Sequence, residues 1–448
     1  MGPLDEDSMT GTAVPRDEQS GVTGGPQQPP RRLLWAAALA LALALALFVA
    51  VPSVQAIGSR LALILEGEKV RGDFLAFYAA SYLIGTGRGG DLYDLEAQQA
   101  AQEEIFPWIT DDVIGYALPA FAAVGMWPLT LMPFHAAYIL WTGLNALLLV
   151  AIALLLWRMI PAVPPSLRLL LLACLSLSMP VLYVFAWGQV DLIVLLALLL
   201  AYRNLQTERP ATAGAFAALA LIKPFLAVGP ALFLLAQGRR RALVAFCVTA
   251  AALLLLPLPL TGAEGLVGNL RMAGAFSETI DELGASANTM PNWRGFVVSV
   301  SGRNDFLLWA PAAAITGLGA LALAAPAWRR GGARGPRALA YGWSLACFLP
   351  ALLSPHLHFQ NLVVLAVPGA LVLQEWFANG GSDRQRQTLA AIAVLTGFAL
   401  TNLLRSLTAT GLSLTVFALV PAYVALALCW PQEQEAVAAR AIPERLAA

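Results

Sequence analysis

The stretch Arg71-Gly72-Asp73-Phe74-Leu75-Ala76-Phe77-Tyr78 puts one carboxylate at the head of an aromatic, helix-compatible segment, a short way past the first long apolar run. Such an aspartate can cap a helix, since Asp is a favoured N-cap. It can also take a proton from a hydroxyl as a general base, and the two roles are compatible. Lys223 interrupts Ala217-Ala218-Leu219-Ala220-Leu221-Ile222 and is followed by Pro224. An ionisable group inside an apolar run is costly unless paired or hydrated, so it reads as functional by default. A cation there can reach a phosphate beside a loosened backbone. The alternatives are a lysine that snorkels to an interface or one paired with an acid.

Other polar residues stand where apolar ones would be expected. Gln189 and Asp191 follow Trp187-Gly188 at a helix boundary, where Asp191 would complement a helix dipole. Asn292-Trp293-Arg294-Gly295 directly precedes a return to apolar sequence, and Arg294 there would suit a lipid phosphate at headgroup depth. His356 and His358 lie in Ser354-Pro355-His356-Leu357-His358, between two apolar runs. They suit a phosphate or sugar partner or an interfacial position better than a metal, because no carboxylate or cysteine accompanies them. Tyr78, Gln189, Asn292 and His358 are the candidate substrate contacts; no metal ligand set and no cofactor motif is seen.

The elements that must position these residues are membrane helices. Of 448 residues, 59% are hydrophobic and 12% charged, with zero net charge. That is too little charge for a soluble surface, and the zero balance gives no argument for nucleic acid. The apolar residues come in continuous runs of about twenty, which cross a bilayer as helices rather than barrel strands. The expected fold is an all-α polytopic membrane protein with both ends cytosolic. Its spans fall at 33–51, 115–133, 135–157, 168–187, 188–203, 211–236, 241–260, 304–327, 337–354, 359–378, 387–405 and 411–430, about twelve by length and the positive-inside rule. Residues 1–30 and 431–448 read as cytosolic tails around a catalytic domain at 31–430. Arginines at 158–168 and 203–209 fit this count badly; they would favour re-entrant segments at 115–133 and 211–236, the second broken at Pro224. The first outer segment, 58–114, should hold two short amphipathic helices on the membrane surface, separated by Gly85, Gly87, Gly89 and Gly90. The four cysteines sit in apolar runs and read as buried free thiols. Arginine-rich, lysine-poor composition suggests a bacterial protein, hence a plasma membrane location.

In this order, Gly72-Asp73-Phe74, Gly90-Asp91-Leu92-Tyr93-Asp94, Gly188-Gln189, Ala213-Gly214, Ile222-Lys223-Pro224, Asn292 to Gly295 and Ser354-Pro355-His356 resemble the polyprenyl-phosphate-mannose-dependent mannosyltransferases of glycosyltransferase family 87, in the GT-C superfamily. The resemblance covers about residues 33–430. It implies a polyprenyl-phosphate sugar donor, a glycolipid or glycan acceptor and an extracytoplasmic active site. It also implies that the acid of the first outer loop, Asp73, is the catalytic base, and that Lys223 and His356 serve the donor phosphate. The chain departs from the family in having His358-Phe359 where a tryptophan is usual. A flippase for lipid-linked sugars, a polysaccharide polymerase or ligase, and a scaffold are the competing functions. The flippase would call for an internal repeat, which is not evident.

Overall fold

The computed structural model describes residues 55, 58–59, 72–106, 113–278, 287–330, 335–378 and 412–428. The expected tails, the spans at 33–51 and 387–405, and Cys429 lie outside the described residues. Among the described residues every regular element is an α- or 3-10 helix. Four helices are long and apolar enough to cross a membrane: Phe134–Met159, Arg240–Thr261, Phe306–Arg329 and Phe359–Ala378. A fifth span results if Pro165–Ser176 and Met179–Trp187, bent by 42°, count as one. These match the expected spans at 135–157, 241–260, 304–327, 359–378 and 168–187. Phe134–Met159 shows why: Leu140, Leu144, Leu147 and Leu154 recur at helical spacing on an exposed face, while Tyr138, Trp141, Ile152 and Leu156 are buried behind them.

The remaining expected spans are shorter or broken. Residues 115–133 form only Ala120–Met126 with a 3-10 turn, Trp127–Leu131, carrying Pro128 at its start. Residues 211–236 divide into Pro210–Leu219, a 3-10 turn at Ala220–Ile222 and Pro224–Ala236. Pro224 disfavours the helical conformation for the residue before it, and Lys223 accordingly leaves the helical region (φ −127°, ψ 89°). Residues 188–203 begin their helix at Asp191 and end it at Gln206. Pro336–Phe348 is buried from Ala338 to Phe348 and stops at Pro350. Pro210–Leu219 lies so close to Arg240–Leu255 that a Cβ at Gly214 would sit 1.9 Å from the Ala242 carbonyl oxygen; small residues permit such approach between membrane helices.

Two expectations need correction. The helix Asp73–Gly85 is not a surface amphipathic helix, because Phe74 to Ser81, Leu83 and Ile84 are all buried. The run offers no polar face, and a helix apolar all round is buried. Leu95–Ile105, by contrast, starts with Asp94 as a true N-cap, accepting from the Ala97 N–H at 2.9 Å. Among the described cysteines all are free, but only Cys347 is buried; Cys174 is partly covered and Cys247 is exposed. Cys247 rides on Arg240–Leu255, one of the least covered helices, so an apolar run there faces outward rather than into the protein.

Candidate functional site

Asp73 is the first residue of its helix, with Gly72 at the cap position, so its carboxylate is not spent on capping. It is half-buried. The next residue anchors it: the Phe74 ring lies 5.1 Å from Tyr138, 5.6 Å from Phe134 and 6.0 Å from Trp141, centre to centre. The same helix, Phe134–Met159, holds the turn that carries Gln189. Trp141 Nε1 donates to the Gly188 carbonyl at 2.7 Å, and the Tyr138 hydroxyl donates to the Phe185 carbonyl at 3.2 Å. Gly188 is left-handed (φ +68°), and a Cβ there would lie 2.6 Å from Phe74 Cβ. Glycine is required on both counts, and the turn it makes delivers Gln189 to Asp73.

From there a chain of hydrogen bonds runs inward. Gln189 Nε2 donates to Asp73 Oδ2. Lys223 Nζ donates to Gln189 Oε1 at 2.9 Å and to Asp191 Oδ2 at 2.8 Å. Asn361 Nδ2 donates to Asp191 Oδ1 at 2.7 Å, and the His358 backbone N–H donates to Asn361 Oδ1 at 2.7 Å. Lys223 and Asp191 are 6% and 0% exposed. Lys223 thus has the acidic partner that the sequence left as an alternative. Asp191 both opens its helix and closes an ion pair.

Arg294, Asn292 and His356 form a second cluster. Asn292 caps Trp293–Ser301, accepting from the Gly295 N–H at 3.0 Å, and its amide donates to the carbonyls of Ser354 and Pro355 at 2.9 and 3.2 Å. This grips the histidine loop. Arg294 is fully buried, donates to Asn304 Oδ1 at 2.9 Å, and places Nη1 3.4 Å from His356 Nδ1. Its guanidinium lies over Trp309 at 5.4 Å. Asn292, Arg294, Trp309, Ser354 and Pro355 line a cleft here. Burial pushes the His356 imidazole down to about 4, with the Arg294 cation adding to the effect. His358 is pushed down to about 3, by burial first and then by Lys223, His356 and Arg294. Both rings are therefore neutral near pH 7, and the loop of residues 354–358 lies between the two clusters.

The structure thus brings Asp73, Gln189 and Lys223 together directly, and joins Asn292, Arg294 and His356 nearby. Tyr78 is placed otherwise: its hydroxyl donates to the Met132 carbonyl at 2.8 Å and its ring packs on Phe134. Sequence reasoning missed Asn361 and Asn304. Asn361 carried a usable signal, since with Gln360 it puts adjacent amides at the start of an apolar run, a polar interruption of the kind that marked Lys223. Among the described residues no three His, Cys, Asp or Glu side chains gather as a metal site.

Searches of curated proteins and of solved structures return no match. The model of glycosyltransferase family 87 matches residues 116–355, more than half of the chain. The match includes Gln189, Asp191, Lys223, Asn292 and Arg294; Asp73 and Tyr78 precede it, and His356 and His358 follow it. It covers Phe134–Met159, Asp191–Gln206 and the break at Lys223 and ends in the loop between the two clusters, while the Asp73 helix and Asn361 lie outside it. The chain belongs to glycosyltransferase family 87, and it is a helical membrane protein.

Proposed function

We propose that the protein transfers mannose from a polyprenyl-phosphate donor to a glycolipid or glycan acceptor on the extracytoplasmic face of a bacterial plasma membrane. The observation that carries this reading is a half-buried carboxylate, Asp73, tied through one amide to a buried lysine within a family of glycosyltransferases. Asp73 takes the proton of the acceptor hydroxyl as that oxygen bonds to the anomeric carbon. The bond from that carbon to the phosphate oxygen breaks, the electron pair leaves with polyprenyl phosphate, and configuration inverts. Such base catalysis contributes about 10²–10⁴-fold. Charge growing on the phosphate is met by Arg294 and Lys223 and by hydrogen bonds from neutral His356, as preorganised donors aimed at developing charge. Lys223 brings Asp191 with it, so the pair contributes direction more than net charge, and Arg294 carries the larger share. Asn292 and His358 shape the loop between donor and acceptor, in a GT-C arrangement of about twelve spans as the positive-inside rule suggests.

Purified protein with radiolabelled polyprenyl-phosphate sugars and a membrane lipid extract should produce labelled acceptor, and Asp73→Asn should slow this by about 10²–10⁴-fold. Near-normal turnover by Asp73→Asn removes the base. Movement of the donor between leaflets without transfer favours the flippase. Gly90 is exposed beside the Asp73 helix. In intact cells Gly90→Cys should react with an impermeant thiol reagent added outside, and reaction only after permeabilisation reverses the topology.

A further inference from the structure

Gln189 is the joint between two charged groups, and its neighbours dictate which way it faces. A lysine has donors and no acceptor. The amide atom 2.9 Å from Lys223 Nζ must therefore be the oxygen of Gln189. That leaves the amide nitrogen toward Asp73, and an NH₂ group can only donate, so Asp73 Oδ2 must accept. The direction is set at the far end. Asp191 holds Lys223 at 2.8 Å, Asn361 holds the other Asp191 oxygen at 2.7 Å, and the His358 backbone fixes Asn361 at 2.7 Å. Lys223, Asp191 and Asn361 are each 6% exposed or less, so water does not offer Lys223 an easy substitute. Were Gln189 turned over, two oxygens would face each other unless Asp73 carried a proton, and Asp73 would then be an acid instead of a base.

We propose that Asp191, Lys223 and Gln189 form a one-directional relay that holds Asp73 as an acceptor, the form able to take a proton, with Asp191 and Asn361 as positioning residues. This rests on the reading of Asp73 as the base. It goes further in giving Lys223 a task besides phosphate and Gln189 a task other than touching substrate. The charged groups tied to Asp73 by this route are Lys223 on the break before Pro224–Ala236 and Asp191 on Asp191–Gln206.

The test needs no substrate. Dicyclohexylcarbodiimide adds to protonated carboxyl groups in apolar surroundings, and the product is located by mass spectrometry. Full-length protein in detergent is treated near neutral pH, with Asp73→Asn identifying the peptide. A carboxylate that loses a donated hydrogen bond is more easily protonated. Gln189→Met should therefore speed labelling of Asp73 by about tenfold, the equivalent of one pH unit. The paired variant Lys223→Met with Asp191→Leu, which leaves no buried charge alone, should do the same, and it decides the matter if Gln189→Met does not fold. Ser81→Ala, on the Asp73 helix but outside the relay, should label like wild type. Unchanged labelling in the relay variants overturns the proposal, as does an equal rise in Ser81→Ala, which would mean general loosening. Retained sugar transfer by Asp73→Asn, with the labelling as expected, would sink the base and leave the relay standing.

Discussion

Asp191→Asn should destabilise the protein far more than replacing the whole Asp191–Lys223 pair. The charges are 2.8 Å apart, with side chains 0% and 7% exposed. At an effective dielectric of about 20, their attraction is roughly 6 kcal/mol. Part of this offsets the cost of removing both from water, so losing one partner should cost about 3–5 kcal/mol, chiefly from the charge left behind. Lys223→Met with Asp191→Leu strands no charge. Its residual loss comes from neutral groups, the Asn361 amide, which no longer has Asp191 Oδ1 to donate to, and Gln189 Oε1, which no longer accepts from Lys223; an unsatisfied buried neutral group costs about 1–3 kcal/mol. Thermal denaturation in detergent, followed by the fraction remaining monodisperse, should rank wild type above the double variant and the double variant above Asp191→Asn. Equal midpoints for Asp191→Asn and wild type would refute the claim that this pair is buried and coupled. A double variant as unstable as the single would show that packing, not charge, governs the site.

Asp73→Asn keeps the shape of the site and one acceptor oxygen. It should lower kcat by about 10²–10⁴-fold while donor binding persists, as measured by transfer assay and by retention of labelled donor on the protein. The histidine loop predicts a pH effect on stability. His356 and His358 are depressed from 6.5 to about 4 and about 3 by burial and nearby cations, so between 6.5 and those values the unfolded chain binds more protons than the folded one. Stability is therefore fully present above about pH 6.5 and falls as pH drops toward 4. Denaturation midpoints across this range should fall less steeply in His358→Phe than in wild type.

Much of the helical framework is legible in the chain because lipid-facing runs advertise themselves. Leu140 to Leu154 repeat at helical spacing, and the arginine at 240 marks an end. The break at Lys223 is legible too, since proline restricts the residue before it. The Asp73 helix is less so: protein interior and hydrocarbon select the same apolar residues, so Phe74 to Ile84 gives no sign of whether lipid or protein surrounds it. In the site, Asp73 and Lys223 stand out as single residues, but their connection does not. It depends on Gln189, 116 positions from Asp73, being turned by the left-handed Gly188. Asp191 reads as a helix-end charge because its lysine is 32 positions away. Asn361 reads only as an amide at the head of an apolar run until a carboxylate 170 positions earlier is found against it.

That same spacing bears on biogenesis. Asp191 and Lys223 are buried charges that must pass through a translocation channel into lipid, yet they belong to neighbouring segments separated by one short loop. A nascent chain synthesised as far as Pro224 already contains both, so the two buried charges can enter the bilayer as a matched pair. Asn361 emerges later and can only clasp a carboxylate that is already matched. A ribosome-stalled intermediate ending beyond Ala236 should therefore insert with wild-type Asp191 and stall at the membrane with Asp191→Asn.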